Sequence, residues 1–384
     1  MLIPLFLFAH GCSLHVEDNA KPSALLTFGN TEQLSKPWIS ATTDNHFIVG
    51  IPSWHNGNIQ ARIVCIDTQG TVLWDRFLGT DQDDFFQRLF IDRDGNILVV
   101  GTTLGADDSA TYQKNRDVFY LHYLTPQGQT IWEKIIPARF WNNFYSGNDV
   151  VGVQQDKNGD FLISAFYSNE FLVMQNWELA FFGTLAVVNS TGDLVDLYVH
   201  GNNPFYAPFG TSKGYGVFST SVNGVGIIDF DRNASYRTPE DTEFPKVDEV
   251  EWNWADPEPF ELDVWSVQTA PDQWQFVVVK EEGLVKFDYD AGSGIIQPSA
   301  LEINSQMGSG FPIAATSNHN KFFVAYSNGT IYQLDNSWEV EKSFQTNWKI
   351  LTLSSSPSGH TAVAFQMDEI IQVMIYDAYG KAIR

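Results

Sequence analysis

Cysteine and basic residues are scarce in this chain, and each scarcity excludes a class of protein. Only two cysteines, Cys12 and Cys65, occur in 384 residues, which excludes a disulfide framework and a cysteine-rich zinc site. Lysine and arginine number 22 against 46 aspartates and glutamates, so the formal net charge is −24. A surface of that sign repels phosphate backbones and anionic lipid headgroups. We therefore expect no nucleic-acid partner and no basic patch that docks on a membrane.

The N-terminus carries an apolar run that is much shorter than the ~20 residues needed to cross a bilayer. The run, MLIPLFLFA, is followed closely by Gly11 and Cys12 and then by polar residues. This pattern resembles the signal of bacterial lipoproteins, and the resemblance implies export and lipidation of Cys12. We expect residues 1–22 to be this signal and its linker, with the protein lipid-anchored at the bacterial outer membrane or in the periplasm. Secretion with a truncated signal, or a coincidental cysteine, stays open.

The rest of the chain, 23–384, is expected to be one all-β domain. Short runs rich in Val, Ile, Phe, Tyr and Trp recur between Gly, Asn, Asp and Pro turns, without sustained helical periodicity. The clearest unit, 83–137, contains FFQRLFI, ILVVGTT, DVFYLHYL and TIWEKII, separated by turns and one long polar loop. ILVVG is apolar at successive positions, which is typical of a strand buried on both faces.

Similar units recur at intervals of roughly 40–60 residues, a spacing that indicates a β-propeller with one four-stranded blade per unit. Clear units occupy 37–79, 83–137, 149–201, 260–302, 311–346 and 349–384. The gap between the third and fourth of these is about twice the usual spacing, and 213–231 fits there as a degenerate unit. The sequence therefore predicts seven four-stranded blades, with six or eight left open. We expect 23–29, SALLTFG, to complete the last blade and close the ring.

Two family resemblances support this fold. VCIDTQGTVLWDRFLG, FIDRDGNILVVGTT and LHYLTPQGQTIWEKII resemble the β-propeller repeats of secreted and surface bacterial proteins. Asp67-x-x-Gly70-x-x-x-Trp74 resembles the tryptophan-docking motif of quinoprotein-like propellers, among them the propeller lipoprotein of the outer-membrane barrel-assembly machinery. Gly128 and Trp132 keep the same spacing. The resemblance implies that Trp74 and Trp132 pack on the next blade.

Motifs that carry chemistry are missing from the sequence. No zinc-protease, nucleophile-elbow, phosphate-loop or complete EF-hand motif occurs, and the histidines share no metal-ligand spacing. We therefore predict no catalytic residue, no metal site and no cofactor. Two short acidic loops, 81–84 and 105–108, leave calcium open, because clustered oxygen atoms suit that ion; a solvated loop is the alternative. We expect Cys65, inside an apolar run, to be a buried and inert thiol.

Aromatic residues in the connections between units are the candidate binding residues. Trp252 and Trp254 lie in an acidic, proline-containing insert at about 236–262, and they would share one side of an extended segment. Four more aromatic residues crowd the connection at 139–148, where inter-blade loops emerge; they are Phe140, Trp141, Phe144 and Tyr145. A third candidate is the aromatic segment 200–216. In each case the rings could instead cover a blade edge or pack the loop down.

These observations predict a non-catalytic interaction or scaffold protein of the bacterial cell envelope. It would bind an envelope protein or a surface polysaccharide through loops on one propeller face, and it would contact the membrane only through its lipid anchor. Two alternatives remain. One is an envelope enzyme, acting on glycans or as a quinoprotein-like oxidoreductase, with catalytic groups assembled at the propeller axis. The other is a calcium-dependent adhesive module.

Overall fold

The computed structural model describes residues 26–28, 36–103, 118–137, 146–169, 180–201, 205–212, 214–221, 224–231, 263–280, 283–300, 312–318, 321–335, 337–346, 348–367 and 370–383. These residues form 27 strands. No helix occurs in these ranges, and so none that is long and apolar enough to be a membrane span.

The strands form seven antiparallel sheets in chain order, which are the blades of the propeller. Blade 1 contains β2 (Trp38–Ala41), β3 (Phe47–His55), β4 (Asn58–Ile66) and β5 (Val72–Leu78). Blade 2 contains β6 (Asp84–Ile91), β7 (Ile97–Thr103), β8 (Val118–Leu124) and β9 (Thr130–Pro137). Blade 3 contains β10 (Ser146–Gln155), β11 (Phe161–Asn169), β12 (Ala180–Val188) and β13 (Leu194–Gly201). Blade 4 contains β14 (Phe205–Gly210), β15 (Gly214–Ser221) and β16 (Gly224–Asp231).

Blades 5 to 7 complete the ring. Blade 5 contains β17 (Asp263–Ala270), β18 (Gln273–Lys280), β19 (Gly283–Asp290) and β20 (Ile295–Ala300). Blade 6 contains β21 (Pro312–Asn318), β22 (Lys321–Tyr326), β23 (Thr330–Leu334) and β24 (Val340–Gln345). Blade 7 contains β25 (Lys349–Ser355), β26 (Thr361–Met367), β27 (Ile370–Tyr376) and, from near the N-terminus, β1 (Leu26–Phe28). The predicted all-β, seven-bladed propeller is thus confirmed. The described part of blade 4 has three strands, where the sequence predicted four.

The apolar core is divided into seven clusters, and each cluster lies between two neighbouring blades. The division follows from strand alternation, because successive side chains point to opposite faces of a blade. In β7, Leu98 and Val100 pack toward blade 3, whereas Ile97 and Val99 pack toward blade 1. Every residue of β7 is therefore buried, as the continuous apolar run predicted.

Both ends of the chain contribute to the outer edge of blade 7. Leu26 and Phe28 of β1 pair with Val373 and Ile371 of β27. Near the C-terminus, Ala382 pairs with Tyr376 further along the same strand. The two ends thus lie in line on one edge, and the predicted closure of the ring by residues from 23–29 is confirmed for residues 26–28. The cluster between blades 7 and 1 seals the ring.

Blade 4 begins earlier than the sequence predicted. The expected degenerate unit, 213–231, covers β15 and β16, but β14 precedes it. Phe205, Tyr206 and Phe209 of β14 are fully buried in the clusters that blade 4 shares with its two neighbours. The interpretation of 200–216 as a candidate binding loop is therefore wrong for these residues. Their aromatic side chains are needed to fill both interfaces of the blade.

Outer strands dock on the turn of the following blade through a repeated contact. The indole N–H of Trp74 donates to the carbonyl of Pro126 over 3.0 Å, and that of Trp132 donates to Ser190 over 2.9 Å. Between blades 6 and 7, the Lys342 ammonium donates to the carbonyl at the matching turn position, Ala378. The docking role predicted for both tryptophans is confirmed.

Candidate binding face

The antiparallel order gives the ring two unlike faces. At one face, which we call the turn face, the chain turns from the first to the second strand of a blade and from the third to the fourth. At the opposite face the second strands end and the third strands begin, and there the four-stranded blades begin and end; we call it the loop face. In the described residues the turn face is built mostly from four-residue turns, which are 42–45, 67–70, 92–95, 125–128, 156–159, 189–192, 335–338, 356–359 and 377–380.

The turns on the turn face satisfy their own polar groups. Asp92 accepts the N–H groups of Asp94 and Asn96 at 2.9 and 2.8 Å through one carboxylate oxygen, and Gly95 takes the positive φ that closes the turn. The same double acceptance recurs at five other turns, beginning at Asp67, Asp156, Asn189, Asp335 and Asp377. These Asp and Asn side chains of the turn face therefore hold turn geometry.

A hairpin in blade 1 presents an exposed tryptophan on the loop face. Asn56 and Gly57, with φ of 51° and 93°, form the two-residue turn between β3 and β4. Trp54 lies just before this turn and is 62% exposed. The hairpin is tied to the connection between blades 1 and 2, because the N–H of Ile59 donates to Asp83 over 2.8 Å and the Asn58 amide donates to the carbonyl of Asp81 over 2.7 Å. Trp54 is therefore presented by a fixed backbone.

The other side of the same blade carries a stacked aromatic pair with a cation. The rings of His55 and Phe77 are parallel at 4.0 Å, and the guanidinium of Arg62 lies 5.6 Å from the Phe77 ring. Arg62 also forms a bidentate ion pair with Asp75, with a shortest distance of 2.6 Å. The guanidinium is held in one orientation by these contacts.

A cavity of about 340 Å³ lies on the propeller axis, lined by the first strand of every blade. Its polar lining consists mainly of hydroxyl and amide groups, from Ser40, Gln154, Ser266, Thr316, Ser317, Thr352 and Ser354. Arg88 is its one charged residue among those described, and the guanidinium lies 4.5 Å from the ring of Trp38 and donates to the carbonyl of Gln87 over 2.9 Å. Such a lining can hydrogen-bond a polar ligand.

A second cavity of about 460 Å³ opens on blade 5. Its two carboxylates already have partners: Asp288 lies 3.1 Å from the Lys286 ammonium, and Asp290 accepts the N–H of Gly292 over 2.8 Å. In the part of the chain that the structure describes, no group of three His, Cys, Asp or Glu side chains is placed to hold a metal ion.

The acidic loop 81–84 uses two of its carboxylates for structure. Asp84 is fully buried and accepts the N–H of Thr80 over 2.5 Å, and its burial raises the pKa of the carboxyl. Asp83 accepts from Ile59, as described above. The other acidic loop, 105–108, lies outside the described residues. Calcium binding stays a prediction.

The residues that the sequence singled out for partner binding all lie outside the described residues. They are Trp252, Trp254, Phe140, Trp141, Phe144 and Tyr145, and the lipidation candidate Cys12 also lies outside them. The strands that flank 138–145, β9 and β10, end and begin at the loop face. For 232–262 the two flanking strands differ. β16 is a third strand and ends at the turn face, whereas β17 is a first strand and begins at the loop face. These binding assignments stay predictions.

Sequence reasoning missed Trp54 as a candidate binding residue. The signal was present, because Asn56-Gly57 is a strong indicator of a tight hairpin and places Trp54 next to its tip. Arg88 was missed for a different reason. It lies in an ordinary-looking strand, and only the assembly of seven strands around the axis brings it into a shared cavity.

Comparisons with known proteins identify the fold. No family model matches this chain, and no curated protein matches it. Raptor from Chaetomium thermophilum matches with a TM-score of 0.53 and 12% identity, over 94% of this chain and 29% of that one. This chain thus spans less than a third of Raptor. A protein of unknown function from Bacteroides caccae matches with a TM-score of 0.39 and 12% identity, over 88% and 92% of the two chains, too weakly to support an argument. At this level of identity the likeness to Raptor is one of fold alone, the β-propeller described above.

Proposed function

We propose that the protein is a non-catalytic interaction scaffold of the bacterial cell envelope that binds a partner protein through its loop face. The observation that carries the proposal is Trp54, held by a hydrogen-bonded hairpin and yet exposed over 62% of its surface. Tryptophan is enriched among the residues that dominate binding energy at protein interfaces. A side chain on a fixed backbone also loses little conformational entropy on binding.

Neighbouring groups support a protein partner. His55, Phe77 and Arg62 add two stacked rings and an ion-paired guanidinium to the same blade, and arginine and aromatic side chains are enriched in protein interfaces. The connection that contains Phe140, Trp141, Phe144 and Tyr145 joins strands at the loop face, which supports its assignment to the same binding surface. In the proposal, Trp252 and Trp254 extend that surface.

The direction of β1 supports an orientation at the membrane. β1 occupies the place of a fourth strand in blade 7 and pairs antiparallel with β27, so it runs from the turn face toward the loop face. Leu26, the first residue of β1, therefore lies at the turn-face end of this strand. With a lipid on Cys12, the turn face would lie nearer the membrane and the loop face would be directed away from it.

The test is recovery of the partner by affinity purification from gently solubilised membranes. We expect Trp54→Ala to reduce recovery of a stoichiometric protein at least tenfold, since truncation of a central interface tryptophan costs about 2 kcal/mol or more. The matched control is Tyr379→Ala, which removes an aromatic side chain that is 85% exposed in a turn of the turn face. Equal recovery with both variants would contradict the proposal, and so would specific retention of a polysaccharide in place of a protein. The double variant Trp252→Ala/Trp254→Ala tests the predicted insert in the same assay.

Anchoring is tested separately by fractionation. We expect Cys12→Ser to release the protein from the membrane fraction, because the lipid is the proposed attachment. Retention of the variant in that fraction would contradict the proposed anchor without bearing on the loop face.

A further inference from the structure

The outer strands of three consecutive blades carry an unusual set of exposed aliphatic side chains. Nine large apolar side chains of the described residues are exposed, and six of them lie on β5, β9 and β13. These six are Val72, Leu73, Ile131, Ile135, Leu194 and Val195. Single exposed aliphatic side chains are ordinary on soluble proteins, so it is their concentration on three neighbouring outer strands that points to an interaction surface.

Three of these residues occupy one repeated structural position. In β5, Leu73 is the unpaired residue of a bulge between the pairs Ile66–Val72 and Cys65–Trp74. Ile131 in β9 and Val195 in β13 are the unpaired residues of equivalent bulges. Their exposed fractions are nearly equal, at 47%, 47% and 50%. A bulge re-aims the side chain that it contains, and here it directs each aliphatic group to solvent.

The docking contacts join these positions around the rim. Trp74, next to Leu73, packs against Gly128, where a Cβ would lie 2.8 Å from its ring, and Ile131 follows three residues later. Trp132, next to Ile131, packs in the same way against Gly192, and Val195 follows three residues later. We call this series Leu73, Ile131 and Val195 the rim row.

In blade 6 the equivalent bulge position of the outer strand is occupied by a charged residue. Its bulge residue is Glu341, between the pairs Leu334–Val340 and Gln333–Lys342. The Glu341 carboxylate pairs with the Lys321 ammonium and accepts from Gln333 over 2.6 Å. An aliphatic residue is thus not required by the bulge itself.

The charge beside the rim row indicates the chemistry of its partner. On β9, Glu133 lies two residues after Ile131 and on the same side of the strand as Ile135, and its side chain is 48% exposed. The Nε2 atom of His122 is 3.7 Å from its carboxylate, but this histidine is buried and its lowered pKa, about 4, keeps it neutral at neutral pH. The Lys134 ammonium, next along the strand, is engaged by Asp193 at 3.0 Å.

We infer that the rim row is a second docking surface, for a partner protein segment in which aliphatic side chains alternate with lysine or arginine. Aliphatic groups of the segment would cover Leu73, Ile131 and Val195, and a cation would neutralise Glu133. A chain of net charge −24 favours a basic partner over an acidic one by long-range attraction as well. The surface lies at the turn-face end of the outer strands, away from Trp54, so it is independent of the proposed loop-face partner.

The experiment measures binding of a labelled nine-residue peptide of alternating Leu and Lys to the full-length protein, by fluorescence anisotropy. We expect the triple variant L73S/I131S/V195S to weaken binding at least tenfold, and Glu133→Gln to weaken it severalfold at low salt and less at high salt. Ile370→Ser, which alters an exposed aliphatic residue outside the row, and Trp54→Ala should bind as the unaltered protein does.

Three results would overturn the inference. If the triple variant binds the peptide as tightly as the unaltered protein, the rim row does not contact the peptide. Equally tight binding of a Leu–Glu peptide would remove the charge argument. Self-association of the unaltered protein that the triple variant abolishes would make a second copy of this chain the occupant. Because Trp54→Ala should still bind the peptide, failure of the loop-face proposal and failure of this inference can be told apart.

Discussion

The indole N–H of Trp74 in blade 1 donates to the main-chain carbonyl of Pro126 in blade 2 over 3.0 Å, across the interface between two neighbouring sheets. The ring also packs against Gly128 of the same turn. A single side chain thus combines a hydrogen bond with apolar contact. We expect Trp74→Ala to lower the free energy of unfolding by about 2–4 kcal/mol, since the ring is only partly buried, and Trp74→Phe by about 1–2 kcal/mol.

Urea unfolding followed by circular dichroism measures these changes. Trp54→Ala is the matched control, because an exposed tryptophan contributes little to folding and its removal should cost less than about 0.5 kcal/mol. A Trp74→Ala variant as stable as the control would mean that the docking contact does not hold the blades together.

Gly128 allows a second test of the same interface. It has φ of +76°, and a Cβ at this position would lie 2.8 Å from the Trp74 ring. Gly57 has φ of +93° with no atom within 4 Å of its Cβ position. Alanine at Gly57 therefore measures backbone strain alone, about 1–2 kcal/mol. We expect Gly128→Ala to exceed that cost by at least 1 kcal/mol, because the ring must shift as well. Equal losses of stability in urea would exclude a steric contribution.

His122 makes the stability of the protein depend on pH. Burial, followed by the charge of Arg76, lowers its pKa from 6.5 to about 4. The Glu133 carboxylate, 3.7 Å away, makes no hydrogen bond to His122, and among the described residues neither ring nitrogen has a hydrogen-bond partner. The unfolded chain therefore binds a proton near pH 6.5 while the folded protein does not, so stability falls as pH decreases from about 6.5 to about 4.

The expected loss from His122 is about 2–3 kcal/mol between pH 7.5 and 4.5, at 1.36 kcal/mol per pKa unit. His122→Phe should remove this component, and comparison of the two proteins at each pH cancels contributions from other groups, such as Asp84. Parallel stability curves for the two proteins would contradict a buried neutral histidine. Urea midpoints at the two pH values provide the measurement.

Closure of the ring can be tested by a cross-link. Thr27 and Gln372 are directly paired across β1 and β27. Cysteines at both positions should form a disulfide under mild oxidation and raise the free energy of unfolding by about 2–4 kcal/mol, since the bond closes most of the chain into one loop. Reduction should abolish the gain. Failure to cross-link in the folded protein would indicate that the chain ends are not paired.

Cys65 should be unreactive in the folded protein. It is almost fully buried, and burial, aided by the charges of Asp44 and Asp67, raises the pKa of its thiol to about 12. A thiol reagent applied to the Cys12→Ser variant should therefore modify Cys65 only after denaturant is added. Rapid modification without denaturant would mean that blades 1 and 2 separate readily.

The sequence by itself predicted most of the strands and turns and favoured seven blades over six or eight, but it missed β14. These features depend on short-range chemistry: an Asp that accepts two nearby N–H groups with a Gly at positive φ, or an apolar run long enough for one buried strand. The docking of Trp74 and Trp132 was implied by the resemblance of their Gly-to-Trp spacing to a known docking motif, and short-range chemistry alone would not have predicted it. Two of the four-residue turns place a residue other than Gly at positive φ: Asn45, at 66°, and Trp338, at 64°. The Trp338 ring stacks on Phe322 at 4.2 Å.

Only the tertiary structure decided which aromatic and aliphatic residues are covered. Trp54 and Trp74 are both strand residues of blade 1, but a turn of blade 2 covers one of them and nothing in the described residues covers the other. The sequence predicted that Phe205 and Phe209 belong to a loop, but in the structure they are buried between blade 4 and its neighbours, blades 3 and 5. Arg88 and the hydroxyl groups around it come from strands far apart in the chain. Burial depends on neighbours in space, and a local pattern cannot specify which blade those neighbours belong to.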